Sequence, residues 1–100
     1  MRSQRFACGD KGIHVTQTDK DVMFTDDDGC SISQLPTRLL LSVAKWLNRE
    51  AEQIDTVEYF DCCGQSIGRY TLAGVDDADI RRQAELLEDD VDEADWFEIR

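Results

Sequence analysis

The sequence predicts an α+β fold in which an antiparallel β-meander and a β-hairpin pack against a long amphipathic helix, with a second, acidic helix near the C-terminal end. Three observations predict this class. Short segments with alternating apolar and polar residues fill the first third of the chain, an apolar stripe of helical spacing follows, and a second helical stripe lies among carboxylates in the last quarter. With 100 residues, 41% of them hydrophobic, the chain is expected to form a single compact domain, residues 1–100.

The meander is predicted from alternating segments and the turns between them. Gly12–Thr18 alternates apolar and polar residues, and Asp21–Thr25 continues the pattern after a turn at Asp19–Lys20. A second turn is expected at Asp26–Gly29, because aspartate and glycine tolerate left-handed backbone angles. A third, short strand is expected at Cys30–Ile32.

The first helix is predicted to begin near Pro36, since proline fits the first turn of a helix and Ser33 or Gln34 can serve near the cap. An apolar stripe recurs from there at steps of three and four residues. Its members are Leu39, Leu40, Val43, Leu47, Ala51 and Ile54, widened by Leu41 and Trp46. We expect this helix to cover the sheet and to supply most of the core.

The hairpin is predicted from two segments rich in aromatic and β-branched residues, Thr56–Asp61 and Ser66–Leu72. They flank Cys62–Gln65, where Gly64 suits a tight turn. Gly74 is expected to end the second strand.

The second helix is predicted to start near Ala78, with Asp76 or Asp77 as its cap. One face of a helix drawn through residues 76–98 carries a buried stripe. Its members are Ile80, Ala84, Leu87, Val91 and Ala94. The other face carries carboxylates, and residues 76–98 contain 11 acidic side chains against two basic ones, Arg81 and Arg82.

The net charge of −11 is unevenly distributed along the chain. Residues 1–54 hold 7 basic and 8 acidic residues, whereas residues 55–100 hold 4 basic and 14 acidic ones. Such a balance opposes direct binding to a nucleic-acid backbone, because like charges repel. It favours either a basic protein partner or simple solubility. A salt-adapted protein is a third interpretation, although salt adaptation should coat the whole surface with carboxylates.

The placement of the acids favours a binding surface. Carboxylates in the last turn of a helix oppose its dipole, and Glu85 and Asp89 are four residues apart, where like charges repel. The same spacing recurs at Glu88 with Asp92 and at Asp89 with Glu93. Trp96 and Phe97 either pack back onto the sheet as a terminal strand or add apolar contact to the interface. The predicted partner-binding residues are Glu85, Glu88, Asp89, Asp92, Glu93, Asp95 and Trp96.

In size, charge and layout the chain resembles the small acidic inhibitor proteins of phages and mobile elements, among them anti-CRISPR proteins and other DNA mimics. The resemblance depends on the carboxylates just named, covers about a quarter of the chain and includes no shared motif. It implies a protein without enzymatic activity that presents carboxylates to the basic nucleic-acid channel of a defence complex. Arg81, Arg82 and the near-neutral first half depart from a mimic that is acidic throughout, and they are compatible with a mixed interface.

Two other classes remain open. An antitoxin or immunity protein that neutralises a basic toxin or nuclease needs the same acidic face. A metal or redox protein would use the four cysteines at positions 8, 30, 62 and 63 with His14, but the C-x2-C spacing of zinc sites is absent. Without such spacing we expect the cysteines to be small, half-buried apolar side chains.

No motif marks a catalytic residue, a metal site or a cofactor, so we expect a protein that is not an enzyme. No run approaches the ~20 apolar residues that span a bilayer, and a secretion signal is not evident. The chain is therefore expected to be cytoplasmic, with no membrane contact and an undetermined oligomeric state.

Overall fold

The structure, a computed structural model, describes residues 1–35 and 37–100, apart from the side chain at position 38, so the predicted place of Pro36 in the first turn of a helix lies outside the described residues. Its elements, in chain order, are β1 (Arg2–Gly9), β2 (Lys11–Gln17), β3 (Val22–Asp26), α1 (Thr37–Leu47), β4 (Gln53–Phe60), β5 (Ser66–Gly74), α2 (Asp77–Glu88) and β6 (Trp96–Ile99). The six strands of this described part form one antiparallel sheet in the order β3-β2-β1-β5-β4-β6. The predicted α+β class is confirmed.

The meander begins one strand earlier than the sequence predicts. It comprises β1, β2 and β3, while the expected third strand at Cys30–Ile32 is reduced to a single bridge between Thr25 and Ser31. The alternation in β1 is weak because its inward positions include the polar residues Arg2 and Gln4. Arg2 is accommodated by placing its guanidinium over the ring of Trp46, 4.2 Å from the centroid.

Both helices lie on one face of the sheet. Strand register places Phe6 opposite Ile13 on that face, and the ring of Phe6 meets Trp46 of α1 edge to face at 6.2 Å. On β4 the side chain of Tyr59 lies on the same face, and its hydroxyl donates to the Ala84 carbonyl of α2 at 2.6 Å. Burying this layer of large apolar side chains is the main stabilising term of the fold.

The predicted long first helix is wrong in its extent, because α1 ends at Leu47. Arg49 adopts a left-handed conformation (φ 59°), and the Glu50 and Arg49 amides donate back to the carbonyls of Lys45 and Trp46 at 2.9 and 3.1 Å. This pattern is a Schellman motif, which closes a helix and redirects the chain. Of the residues predicted on the stripe, Ala51 lies after the helix and Ile54 lies in β4. Leu40 and Leu41 are also misassigned, being 55% and 49% exposed.

The second helix also ends earlier than predicted. Asp76 is its N-cap, accepting a hydrogen bond from the Asp79 amide at 2.8 Å, and the buried stripe includes Ile80, Ala84 and Leu87 as expected. The helix stops at Glu88, so that residues 89–95 form a turn. This turn brings the chain back to the sheet, where β6 pairs with β4.

A polar network joins the two helices to β5. The Lys45 ammonium lies 2.6 Å from the buried Asp79 carboxylate, which also accepts from the Val75 amide at 3.0 Å. Ser42 of α1 donates to Gln83 of α2, whose own amide donates to the Ala73 carbonyl. Within the described chain, neither helix combines the length and the apolar character that crossing a bilayer requires.

Candidate functional site

Four of the seven predicted partner-binding residues line one groove, between α2 and the edge strand β6. Glu85 and Glu88 come from α2, Trp96 is the first residue of β6, and Asp95 immediately precedes it. The groove has a volume of about 640 Å³, and we name it the acidic groove. Its lining residues are Arg81, Glu85, Glu88, Asp95 and the whole of β6, Trp96–Ile99. The lining thus includes four residues that are not among the seven predicted ones, Arg81, Phe97, Glu98 and Ile99.

The other three predicted residues do not line the groove. Asp89 is the C-cap of α2, and Asp92 and Glu93 lie in the turn that follows, where Glu93 has a positive φ of 68°. The expected helical repulsion of Glu88 with Asp92, and of Asp89 with Glu93, is therefore wrong, because these pairs extend beyond the helix. Because α2 ends at Glu88, Asp92, Glu93 and Asp95 do not lie in its last turn and do not oppose its dipole there.

The carboxylates that do line the groove are poorly neutralised. Among the described side chains, Glu85, Glu88 and Asp95 form no ion pair within 4.0 Å. Glu98 is paired with Arg100 at 3.0 Å. Of the described lining residues only Arg81 is basic. The groove therefore carries an excess of negative charge, with three carboxylates available to an external cation.

The negative charge of Glu88 affects the ionisation of Tyr59 in the core. Burial raises the pKa of the Tyr59 hydroxyl well above its ordinary value, and the negative charge of Glu88 raises that pKa further. The hydroxyl therefore stays protonated and continues to donate to the Ala84 carbonyl. This contact fixes α2 against β4, and with it one wall of the groove.

The other wall is held by aromatic contacts on both faces of the sheet. The indole of Trp96 stacks on Phe60 with ring centroids 4.1 Å apart, on the face opposite the helices. Phe97 packs towards the core, 5.6 Å from the ring of Tyr59. Trp96 nevertheless remains 40% exposed. The side chain is thus both part of a terminal strand, one of the two sequence interpretations, and accessible at the groove.

Glu58 is a buried carboxylate on the open face of the sheet, and it forms ion pairs within the protein. Glu58 lies 3.1 Å from Arg69 and 3.0 Å from Arg100. A hydrogen bond from Ser66, followed by that from Arg69, holds the pKa of Glu58 below its usual range. Glu58 is an ionised, paired group that ties β6 to the sheet through Arg100.

A second charged cluster lies at the far end of the sheet. Asp27 accepts from Arg5 at 3.0 Å and lies 2.8 Å from the His14 imidazole. These hydrogen bonds, that of Arg5 first, lower the pKa of Asp27 to about 2. These contacts form a surface cluster that fastens the turn after β3 to β1 and β2.

The cysteines do not converge. Cys8 is half-buried in β1, whereas Cys30, Cys62 and Cys63 are exposed, so the expectation of half-buried apolar cysteines is correct for Cys8 alone. In the part of the chain that the structure describes, no group of three or more histidine, cysteine or acidic side chains is arranged to hold a metal ion. Comparisons of the chain with protein-family models, curated proteins and solved structures find no match.

Proposed function

We propose that this protein is a small, non-enzymatic inhibitor that binds the basic nucleic-acid-binding surface of a bacterial defence or nucleic-acid-handling complex. The acidic groove is the contact surface. The observation that carries the proposal is the set of three unneutralised carboxylates, Glu85, Glu88 and Asp95, gathered from two elements into one concave site beside an exposed tryptophan.

The physical basis is competition for cations. A surface built to bind phosphates gains affinity by releasing counterions, and rigid carboxylates can replace phosphates in that role. Glu85 and Glu88 are three residues apart on α2, a spacing that sets their Cβ atoms roughly 5–6 Å apart. Asp95 extends the acidic row to the sheet. Helix α2 sets the backbone positions of Glu85 and Glu88, and the bond from the Asp95 amide to the Phe60 carbonyl sets that of Asp95, so less backbone freedom is lost on association.

Trp96 supplies the apolar part of the contact. Tryptophan is enriched among residues that dominate binding energy at interfaces. Its exposed face can receive an arginine or lysine side chain from the partner by a cation–π contact. A basic groove offers such side chains in number, so the charge and the aromatic ring select the same class of partner.

The test is a capture and competition experiment. Immobilised protein is offered nuclease-treated extract of the host cell, and each retained protein is purified and assayed for binding to a fluorescent DNA or RNA duplex. We expect the duplex to be displaced, with an affinity that falls by roughly tenfold or more between about 50 and 200 mM salt.

Two charge-reversal variants make the test specific. The first combines Glu85→Lys, Glu88→Lys and Asp95→Lys in the groove. The matched control places the same charge change at exposed sites outside it, through Asp19→Lys, Asp21→Lys and Glu50→Lys. The groove variant should lose inhibition and the control should keep it. Equal inhibition by both variants, or a partner that binds its nucleic acid undisturbed, would contradict the proposal.

The same groove fits an immunity protein that neutralises a basic toxin or nuclease. The identity of the retained partner distinguishes an immunity protein from an inhibitor. A nuclease that the same genome encodes, and whose active site this protein blocks, favours the immunity role. A nucleic-acid-guided defence complex favours the inhibitor.

A further inference from the structure

We infer that β6 is a docking edge for an extended, basic segment of the partner, which adds to the sheet as a seventh strand. This inference rests on the proposed function, because it specifies how the basic partner is held. Its starting point is the order of the sheet, in which β3 and β6 are the two edge strands.

The two edge strands differ in how far their outer sides are covered. The outer edge of β3 is partly covered by the segment that follows it. The Ile32 amide donates to the Phe24 carbonyl at 2.8 Å, and the Asp26 amide donates to the Cys30 carbonyl at 2.9 Å. In contrast, β6 has a single neighbour, β4, among the described strands.

The backbone of β6 presents unused hydrogen-bonding groups outwards. Arg100 and Thr56 exchange two hydrogen bonds, of 2.8 and 3.1 Å. In an antiparallel ladder such pairs alternate with non-bonded pairs, so the N–H and C=O groups of Phe97 and Ile99 point away from β4. In residues 1–35 and 37–100 no backbone group pairs with them on that outer side. Groups of this kind form a template for another strand.

The side chains around this edge determine which strand fits. Successive side chains of an added strand would point to opposite faces of the sheet. One set would enter the acidic groove beside Glu85 and Glu88, and the other would lie on the open face beside Trp96. Carboxylates on one side and an exposed indole on the other both favour lysine or arginine. The occupant is therefore an extended segment with basic residues at short intervals.

A second copy of this chain fits the edge poorly. Antiparallel pairing of two β6 strands would bring Glu85, Glu88 and Asp95 of one copy towards the same residues of the other. Like charges across an interface disfavour association, and charged side chains beside an edge strand are a known means of preventing self-pairing. The acidic groove thus admits a basic strand and disfavours a second copy.

The test uses a fluorescein-labelled, acetylated heptapeptide with arginine at alternate positions and threonine or valine between them. Two further peptides carry N-methyl groups on the odd or on the even amides, which removes backbone donors along one edge and leaves the charge unchanged. We expect one methylated peptide to bind at least about tenfold more weakly than the parent, and the other to bind much as the parent does. Hydrogen exchange at the Phe97 and Ile99 amides should slow when the parent peptide is bound.

The outcomes separate this inference from the proposed function. If all three peptides bind wild type equally but fail to bind the groove charge-reversal variant, strand addition is overturned and the acidic contact surface stands. If the peptides bind the variant as well as wild type, both fail. If the protein alone forms a concentration-dependent dimer that protects the Phe97 and Ile99 amides, the edge pairs with a second copy and the inference is overturned.

Discussion

The indole of Trp96 lies against the ring of Phe60, with an angle of 14° between the ring planes. This stack joins β6 to β4 on the open face of the sheet, while Phe97 contacts Tyr59 on the face that the helices cover. The short edge strand is therefore held from both sides. Its position matters because it forms one wall of the acidic groove and carries the free backbone edge.

Replacing Trp96 with alanine should destabilise the fold and remove one of the contacts that hold β6 as a wall of the acidic groove. Removal of the stack on Phe60 should lower the free energy of unfolding by about 1–2 kcal/mol, since aromatic pairs contribute roughly 0.5–1.5 kcal/mol beyond the area that they bury. Trp96→Phe should retain most of this stability. Urea unfolding followed by circular dichroism measures the difference, and an alanine variant as stable as wild type would show that the stack does not hold β6.

Replacing Tyr59 with phenylalanine should destabilise the protein by about 1–2 kcal/mol. The change removes the buried hydrogen bond to the Ala84 carbonyl and leaves the ring contacts in place. Tyr59 should also resist ionisation up to the pH at which the protein unfolds, because burial and the charge of Glu88 raise its pKa. Ultraviolet titration of wild type against Tyr59→Phe tests this, and a tyrosine that ionises near its ordinary value would contradict it.

Replacing Asp79 with asparagine should change the acid limb of the stability profile. The hydrogen bond from Lys45, followed by that from the Val75 amide, holds the pKa of Asp79 below its ordinary value of 3.8. A lowered folded-state pKa adds stability above the unfolded value, and that stability is lost as the pH falls through the folded value. Asp79→Asn should thus lose stability at neutral pH and show a smaller further loss below about pH 4. Parallel acid-unfolding curves for the variant and wild type would refute this.

Replacing Arg49 with glycine should stabilise the protein. Arg49 holds a left-handed conformation at the end of α1, which disfavours side chains with a Cβ atom by roughly 1 kcal/mol. Glycine removes that strain, so the free energy of unfolding should rise by about 0.5–1 kcal/mol. The matched change Glu50→Gly, one residue later, should give no such gain. A stability loss at Arg49→Gly would show that its side chain contributes more than the backbone strain costs.

Local patterns identified most strands but misjudged both helix ends. The hairpin of β4 and β5 and the strands β2 and β3 follow from alternation and turn residues that act within a few positions. The end of α1 has no glycine to signal it, because Arg49 occupies the left-handed position. Ile54 continues the helical spacing by coincidence, and pairing with β5 places it in a strand instead. A short apolar run fits both the spacing of a helix and that of a strand, so tertiary pairing decides which of the two forms.

The C-terminal segment shows the same limit at the candidate site. The helical spacing of Leu87, Val91 and Ala94 predicts a continuous helix, and Val91 is indeed buried, but from the turn. The Asp95 amide bonds to the Phe60 carbonyl at 2.8 Å, and this pairing requires the chain to leave the helix earlier. Burial pattern alone does not distinguish these two geometries, because both cover the same apolar side chains.

By itself the sequence determined the charge of the C-terminal half, the α+β class and the apolar faces, since these depend on residue type and local spacing. Only the tertiary structure decided which carboxylates lie together. Glu85 and Glu88 meet Asp95 because the chain reverses after α2 and returns along β4, whereas Asp92 and Glu93 are left in the turn. Charge is a property of composition, but a groove requires two elements to meet, and that depends on packing across the whole sheet.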